Sequence, residues 1–377
     1  QISKEISDPC MSYITSIGTA NPSYKFDQSS IATFMARSMQ LSGDDERKLQ
    51  VLCRATGIEH RYSVLNDYGK KGDFDFYSNT ENLEPFPSTK SRMKIFQEQA
   101  ITISLDAVST CLAKLPDFDL KSITELIVVS CTGMYAPGLD IDLVKELKLN
   151  TNIHRTCINF MGCYAAFNAI KLADVICNAN PDAKVLIVCT ELCSIHFQKE
   201  NTENNRLANA LFADGSAAVM MESQSRKGIN LKPESFYCDL ASEGEQDMAW
   251  SIGDQGFEMS LTSYVPKAIR NGIAKLTASL LNQASLNLSD ISFFAVHPGG
   301  KKILEVIEQE LGLSKEQNRF ACEILKNFGN MSSPTVLFVI AEICRTLSDA
   351  DQDKRILSFA FGPGLTLESM ILRIANC

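Results

Sequence analysis

Residues 159–163 read Asn-Phe-Met-Gly-Cys, and residues 327–330 read Asn-Phe-Gly-Asn. An apolar run follows each: CYAAFNAIKLADVIC from Cys163, and PTVLFVIAEIC from Pro334. A shift of 167 residues carries Cys163 onto Asn330 and Ser130 onto His297. The same shift lays a helical pattern at 94–115 onto 261–282 and a strand pattern at 125–130 onto 292–297. One supersecondary plan present twice predicts two pseudo-symmetric lobes packed as a unit. The expected division is an N-terminal half, residues 1–225, carrying Cys163, and a C-terminal half, residues 226–377, carrying His297 and Asn330. The segment before residue 93 shows no counterpart in the second half, and residues 66–92, rich in Asn, Asp, Gly, Ser and Pro, read as mostly loop.

The periodicities around these turns define the fold class. Ile101, Leu105, Val108, Leu112 and Leu115 recur at spacings of three and four, the mark of an amphipathic helix. Val265, Ile269, Ile273, Leu276 and Leu280 mark a second over 264–283. Short apolar runs at 125–130, 184–190, 292–297 and 354–361 read as buried strands. Alternating helix and strand predicts an α/β architecture.

Composition narrows the function. The 377 residues are 45% hydrophobic and 21% charged, which fits a globular chain. No apolar run reaches the ~18 residues of a membrane span; the stretch after Pro334 stops at Glu342. The first thirty residues lack a basic start followed by an apolar core, so no signal peptide is expected. The chain begins at Gln1 rather than Met, so a trimmed start is expected. A net charge of −9 disfavours nucleic acid, and a phosphorylated small molecule would need a local basic patch. Thirteen scattered cysteines include no CxxC pair; Cys189 and Cys193 are the nearest approach to one. Neither a disulfide scaffold nor a metal site is expected, and a cytoplasmic location fits best.

Three polar residues stand where the repeat implies convergence. Cys163 opens a buried helix, where unpaired N–H groups favour thiolate and stabilise a developing oxyanion. Alone, it reads equally as core packing. His297 ends an apolar strand before Pro298-Gly299-Gly300, the kind of position that lines a cleft, although a structural histidine also fits. Asn330 sits in a glycine-bearing turn, where a cap or left-handed residue is the plain alternative. Superimposing the halves brings the Cys163 and Asn330 turns to equivalent places, with the His297 strand end beside Asn330. A nucleophile with two hydrogen-bond donors suits acyl transfer through a thioester.

The sequence resembles the type III polyketide synthases of the chalcone synthase-like family, within the thiolase-fold condensing enzymes. The resemblance rests on MGCYAAFNAIKLA at 161–173, LFADGSAAV at 211–219, VHPGG at 296–300, GNMSSPTVLF at 329–338 and FGPG at 361–364. The text DMAWSIGDQGFEMSL at 247–261 is more similar to the bacterial branch. The resemblance implies duplicated αβαβα layers and a homodimer. It implies Cys163, His297 and Asn330 as the catalytic triad, with a Cys163 thiolate paired to the His297 imidazole. Acyl-CoA and malonyl-CoA would be the substrates, with no metal or redox cofactor. Repeated decarboxylative condensation, stabilised by donors from His297 and Asn330, would build the product.

The resemblance also assigns cavity positions. Phe212 and Met259 match the plant gating phenylalanines, and Met259 keeps an apolar but more flexible wall. Cys193 and His196 fall at positions lining the plant cavities, and Met248 matches a plant glycine across a length difference. Ala136 takes the place of a methionine that reaches across the plant dimer. Ser332, Gly362 and Pro363 belong to the matched motifs at the cavity. At the CoA tunnel mouth Lys48 has a direct match, and Arg47 and Arg54 lie near enough to substitute. Met259 and the bacterial resemblance favour a fatty acyl starter and a pyrone or resorcinol-type product. The competing expectations are a ketoacyl synthase III-like enzyme that condenses once onto a carrier protein, a cysteine hydrolase, and a silent scaffold subunit.

Overall fold

The computed structural model describes residues 11–241, 245–262 and 264–376, so the expectation about the start at Gln1 lies outside the described residues. The described residues open with strand β1 (Tyr13–Ala20) and short β2 (Tyr24–Asp27), then helices α1 (Gln28–Ser38) and α2 (Gly43–Ala55), before β3 (His60–Ser63) returns to pair with β2. Residues 66–88 are irregular apart from one 3-10 turn at Asn66–Gly69. The first half continues through α3 (Thr89–Leu112), β4 (Glu125–Ser130), α4 (Leu139–Glu146), β5 (His154–Asn159) and α5 (Ala165–Ala179). It closes with β6 (Lys184–Leu192), α6 (Glu203–Leu211) and β7 (Asp214–Glu222). The second half runs β8 (Ile229–Leu240), the hairpin of β9 (Met248–Gly253) and β10 (Gly256–Leu261), α7 (Val265–Gln283) and β11 (Phe293–Val296). Helices α8 (Lys301–Leu311), α9 (Arg319–Phe328) and α10 (Thr335–Thr346) precede β12 (Arg355–Gly362) and β13 (Thr366–Asn376).

Among the described residues the main sheet has nine strands, in the order β11-β12-β13-β8-β1-β7-β6-β4-β5. It is close to a palindrome around β1 and β8, which touch at Ile14 and Leu231. Outward from that centre, β7 and β13 are antiparallel to their inner neighbours, and so are β6 and β12; β4 and β11 are parallel to theirs. This is the duplicated, thiolase-like α/β fold. One correction concerns the start of the chain: β1 does have a counterpart, β8, and only the segment between β1 and α3 lacks one. A second departure is β5, whose place after the shift is taken by helix α9.

Layering follows from burial on both faces of the strands. Val185, Ile187 and Cys189 of β6 face the core that contains α5 and α10, while Leu186, Val188 and Leu192 face the core containing α3. Such strands read as unbroken apolar runs rather than alternating ones. Helix α7 buries every residue of its expected stripe. Helix α3 starts earlier than its apolar pattern suggests, because the Ser88 hydroxyl caps the Ser91 N–H at 3.3 Å. Its buried face keeps Val108 of the expected stripe but otherwise turns onto Phe96, Ala100, Ile103, Ser104, Ala107 and Cys111. The cause is close approach: a Cβ on Gly18 of β1 would stand 2.3 Å from Ala107 O. Small residues set that face, and a count of large apolar ones misses it.

Candidate active site

Cys163 lies in a tight turn, Gly162–Tyr164, that runs directly into α5. The turn requires Gly162, whose φ is +77° and whose Cβ would stand 2.4 Å from Pro363 Cδ. That contact draws the Phe-Gly-Pro-Gly segment against the cysteine. His297 directly follows β11, and its N–H donates to Phe359 O at 2.8 Å. Asn330 is tied to the end of α6: its N–H donates to Leu211 O at 3.0 Å, and its carbonyl accepts from Ala213 N–H at 2.8 Å. The three side chains line one cavity of about 570 Å³, inside the ~300–1,000 Å³ usual for small-molecule sites. Cys163 Sγ is 3.9 Å from Asn330 Oδ1, which also accepts from Ser332 N–H at 2.8 Å. Asn330 Nδ2 makes a long, 3.4 Å bond to Gly299 O.

Burial governs the charge state. It pushes the Cys163 thiol up to about 12, and the hydrogen bonds from Ser332 and Asn330 only partly oppose it. His297 is 1% exposed, its ring nitrogens have no hydrogen-bond partner among the described residues, and burial pushes it down to about 3. No hydrogen bond joins the two residues. Burial therefore favours the neutral thiol and the neutral imidazole over the expected thiolate–imidazole pair. A rise from 9.0 to about 12 corresponds to about 4 kcal/mol, whereas a helix N-terminus offers ~2 kcal/mol at best.

Phe212, Met259, Met248, Cys193, His196, Ser332 and Pro363 all line the cavity. His196 is a brace rather than a proton carrier. Its Nδ1 accepts from Phe257 N–H at 2.9 Å, which leaves Nε2 to donate to Thr132 O at 2.7 Å. Its ring stacks on Phe257 with centroids 4.3 Å apart, and burial pushes its pKa down to about 3. Two expected residues fall elsewhere. Ala136 is exposed in the loop between β4 and α4, outside the cavity. Gly362, the last residue of β12, lies against the Tyr164 ring instead of the cavity.

Residues not anticipated from sequence complete the inner wall. Cys131 and Thr132 follow β4 and line the cavity. Behind them, the fully buried Glu191 carboxyl accepts from Cys131 N–H at 2.9 Å, Thr132 Oγ1 at 2.7 Å and Ser333 Oγ at 2.5 Å. Burial pushes the pKa of that carboxyl up, and these bonds pull it back. Glu191 thus ties the β4 strand end to the Asn330 turn. The repeat had already marked this strand end by pairing Ser130 with His297. Trp250 and Phe257 of the β9–β10 hairpin close the same end; Trp250 faces Met259 in register, and its indole N–H donates to Cys131 O at 2.7 Å.

The mouth is basic, though not quite as expected. Lys48, Leu52 and Ala55 share one face of α2 and line the entrance, whereas Arg47 and Arg54 lie on a neighbouring face and do not reach it. Arg47 and Lys48 both pair along the helix in solvent, with Asp44 at 3.1 Å and Asp45 at 3.3 Å, so the helix face rather than the pairing separates them. Arg206 of α6, with Lys301 and Lys302 of α8, supplies the remaining cations at the entrance. Their sequence positions are remote from α2, so no local charge run announced them.

A thiolase-like fold with a cysteine and two donors in one buried cavity defines a class, the thiolase-fold acyltransferases. Comparison with known proteins makes this specific. The sequence matches the family "Chalcone and stilbene synthases, N-terminal domain" over residues 2–225 and "Chalcone and stilbene synthases, C-terminal domain" over residues 236–375. It is 32% identical to "Alpha-pyrone synthesis polyketide synthase-like Pks18" of Mycobacterium tuberculosis, over 96% of this chain and 91% of that protein. It is 30% identical to a "Putative chalcone synthase" of Bacillus subtilis, over 96% and 98%. The crystal structure of PKS-I from the brown alga Ectocarpus siliculosus superimposes with a TM-score of 0.90 at 29% identity, covering 98% of this chain and all of that one. The chain belongs to the chalcone and stilbene synthase family; it is a type III polyketide synthase, an acyltransferase that works by decarboxylative condensation.

Proposed function

We propose that the enzyme loads a fatty acyl group from its CoA thioester onto Cys163, extends it repeatedly with malonyl-CoA, and cyclises the chain to a pyrone or resorcinol-type product. The observation that carries this proposal is the meeting of Cys163, His297 and Asn330 in one apolar-walled cavity with a cationic mouth. The pyrone outcome draws on the likeness to the α-pyrone synthase-like relative. The mechanism starts from neutral groups. As Cys163 Sγ attacks the starter carbonyl, its proton passes to His297, and CoA leaves as the thiol after protonation. Malonyl-CoA then loses CO2, and the enolate oxygen takes hydrogen bonds from His297 and Asn330 Nδ2. The carbanion attacks the acyl carbonyl on Cys163 and expels the sulfur, and the lengthened chain returns to Cys163 for another round. Phe212 and Met259 give the malonyl carboxylate an apolar surround, which favours its loss as neutral CO2.

At the mouth, Lys48, Arg206, Lys301 and Lys302 are the proposed phosphate contacts, without Arg47 or Arg54. No metal or redox cofactor enters this scheme. The halves divided at residues 225 and 226 act as the two units, supported by the near-palindromic sheet. A homodimer belongs to the same proposal: edge strand β5 leaves five of its six residues exposed, next to exposed Met134, Ala136 and Val175. Light scattering that reports a lone 41.6 kDa chain would remove that part. A cytoplasmic location is consistent with cysteines that are free throughout the described residues, and no described helix is long and apolar enough to cross a membrane. The deciding experiment incubates the protein with malonyl-CoA and short, aromatic and long-chain acyl-CoAs, with products read by mass spectrometry. Extended products from aromatic starters alone overturn the fatty acyl assignment; a single extension, or demand for carrier-bound malonate, overturns iterative synthesis.

A further inference from the structure

The end of α6 presents five successive carbonyls, Ala208 through Phe212, and every one is occupied. Phe212 N–H donates to Ala208 O at 3.1 Å, and Asn330 N–H donates to Leu211 O at 3.0 Å. The other three go to two side chains from distant parts of the sequence. Gln28 Nε2 donates to Ala210 O at 2.8 Å. Arg61 Nη1 donates to Asn209 O at 2.7 Å and to Phe212 O at 2.6 Å. Arg61 Nε also donates to Gln28 Oε1 at 2.8 Å, so the pair forms one clamp.

Arg61 is an unusual group to find here. It is 4% exposed, it forms no carboxylate ion pair among the described residues, and its Nη2 has no hydrogen-bond partner. Burial pulls its pKa down, yet a guanidinium stays charged in a protein. The buried Asp214 carboxylate attracts it from beyond ion-pair distance, and the negative end of the α6 dipole holds it at close range. The arginine stem also touches the opposite side of the Phe212–Asn330 bridge. Gly329 has a φ of +71°, and a Cβ there would stand 2.9 Å from Arg61 Cγ. Arg61 therefore contacts both strands of the bridge that carries a cavity-wall residue and the oxyanion donor.

We propose that Arg61, braced by Gln28, is the positioning residue for the decarboxylative half of the reaction. It fixes the α6 end, and through the bridge it fixes where Asn330 Nδ2 points. This role rests on the function proposed for Asn330 above. Cys163 is positioned by the Gly162–Pro363 contact and by α5, and touches the clamped turn only through a long, 3.9 Å bond to Asn330, so its acylation depends far less on the clamp.

The test compares two half-reactions in the full-length chain. Intact-mass spectrometry follows acylation of Cys163 by an acyl-CoA, and CO2 release follows malonyl-CoA decarboxylation. Arg61→Met is expected to lower decarboxylation on the order of 100-fold, the penalty of a catalytic group displaced by about 1 Å, with acylation within about threefold of wild type. Arg61→Lys, with one point donor in place of the fork, is expected to fall between the two. Parallel loss of both half-reactions, or a folded Arg61→Met enzyme that decarboxylates normally, overturns the proposal. Where Arg61→Met fails to fold, Gln28→Met, which keeps the cation, decides by the same ratio, with about a tenfold selective loss expected. Wild-type protein that releases no CO2 overturns the proposed function and this role with it; an active wild type with an unshifted ratio in the variants overturns the clamp alone.

Discussion

The Cys163 turn and the Asn330 turn occupy corresponding places in the two halves, but the chain reaches them differently. An edge strand, β5, delivers the first, while a helix, α9, delivers the second. β5 leaves most of its length in solvent, whereas α9 buries Phe320, Ala321, Ile324 and Leu325 within its own half. The donor turn is thus closed by the chain itself and clamped to α6, and the nucleophile turn sits beside an unpartnered edge. One plan used twice has yielded two different chemical roles because the surroundings of each turn diverged.

The largest expected effect separates those roles. Cys163→Ala should abolish the acyl-enzyme seen by intact mass and leave malonyl-CoA decarboxylation measurable. Asn330→Ala should do the reverse, losing on the order of 100- to 1,000-fold in CO2 release while keeping acylation. Equal loss in both half-reactions for both variants would dissolve the distinction. Next comes the protonation state of the nucleophile turn. With the Cys163 thiol raised to about 12, only the minor thiolate fraction reacts below that pH, and the fraction grows as pH rises. Iodoacetamide labelling of Cys163 should climb about tenfold per unit from pH 7 to 10. A flat profile across that range would show a resting thiolate and remove the neutral-site description.

A smaller effect is expected at the inner wall, where the β9–β10 hairpin packs on Phe160 and Cys131. Trp250→Ala opens the end of the cavity and should shift products toward at least one further extension. An unchanged product ladder would mean that Trp250 does not limit length. The smallest effect concerns the mouth. Lys301→Ala should raise KM for the acyl-CoA about threefold to tenfold and weaken its salt dependence, with kcat nearly unchanged. Arg47→Ala should change KM less than about twofold, since Arg47 faces solvent. Equal effects from the two would make Arg47 a phosphate contact alongside Lys48.

Much of the architecture was legible because its signals are local. Strand β4 occupies the same residues as its apolar run, and α7 follows its periodic stripe. The face of α3 was misplaced because Gly18 admits a helix lined with Ala, Ser and Cys, and such residues carry little weight in a hydrophobic pattern. The cavity residues Phe212, Met259 and His196 were legible through resemblance, but the bracing role of His196 depends on hydrogen bonds to Phe257 and Thr132. Arg61 carried no signal at all: one arginine in a short strand becomes notable only when the end of α6 is folded over it.

The amino-acid sequence by itself determined the duplication, the apolar strands, the placing of Cys163 and Asn330 at corresponding turns, and that of His297 at the strand end matching Ser130, since spacing and periodicity are properties of the linear chain. Tertiary structure alone decided which cations gather at the mouth, which side of α3 is buried, and that burial favours the neutral thiol at Cys163. Those outcomes depend on distance through space and on exclusion of water. Desolvation in particular grows with everything packed around a group, and residues from both halves of the chain do the packing.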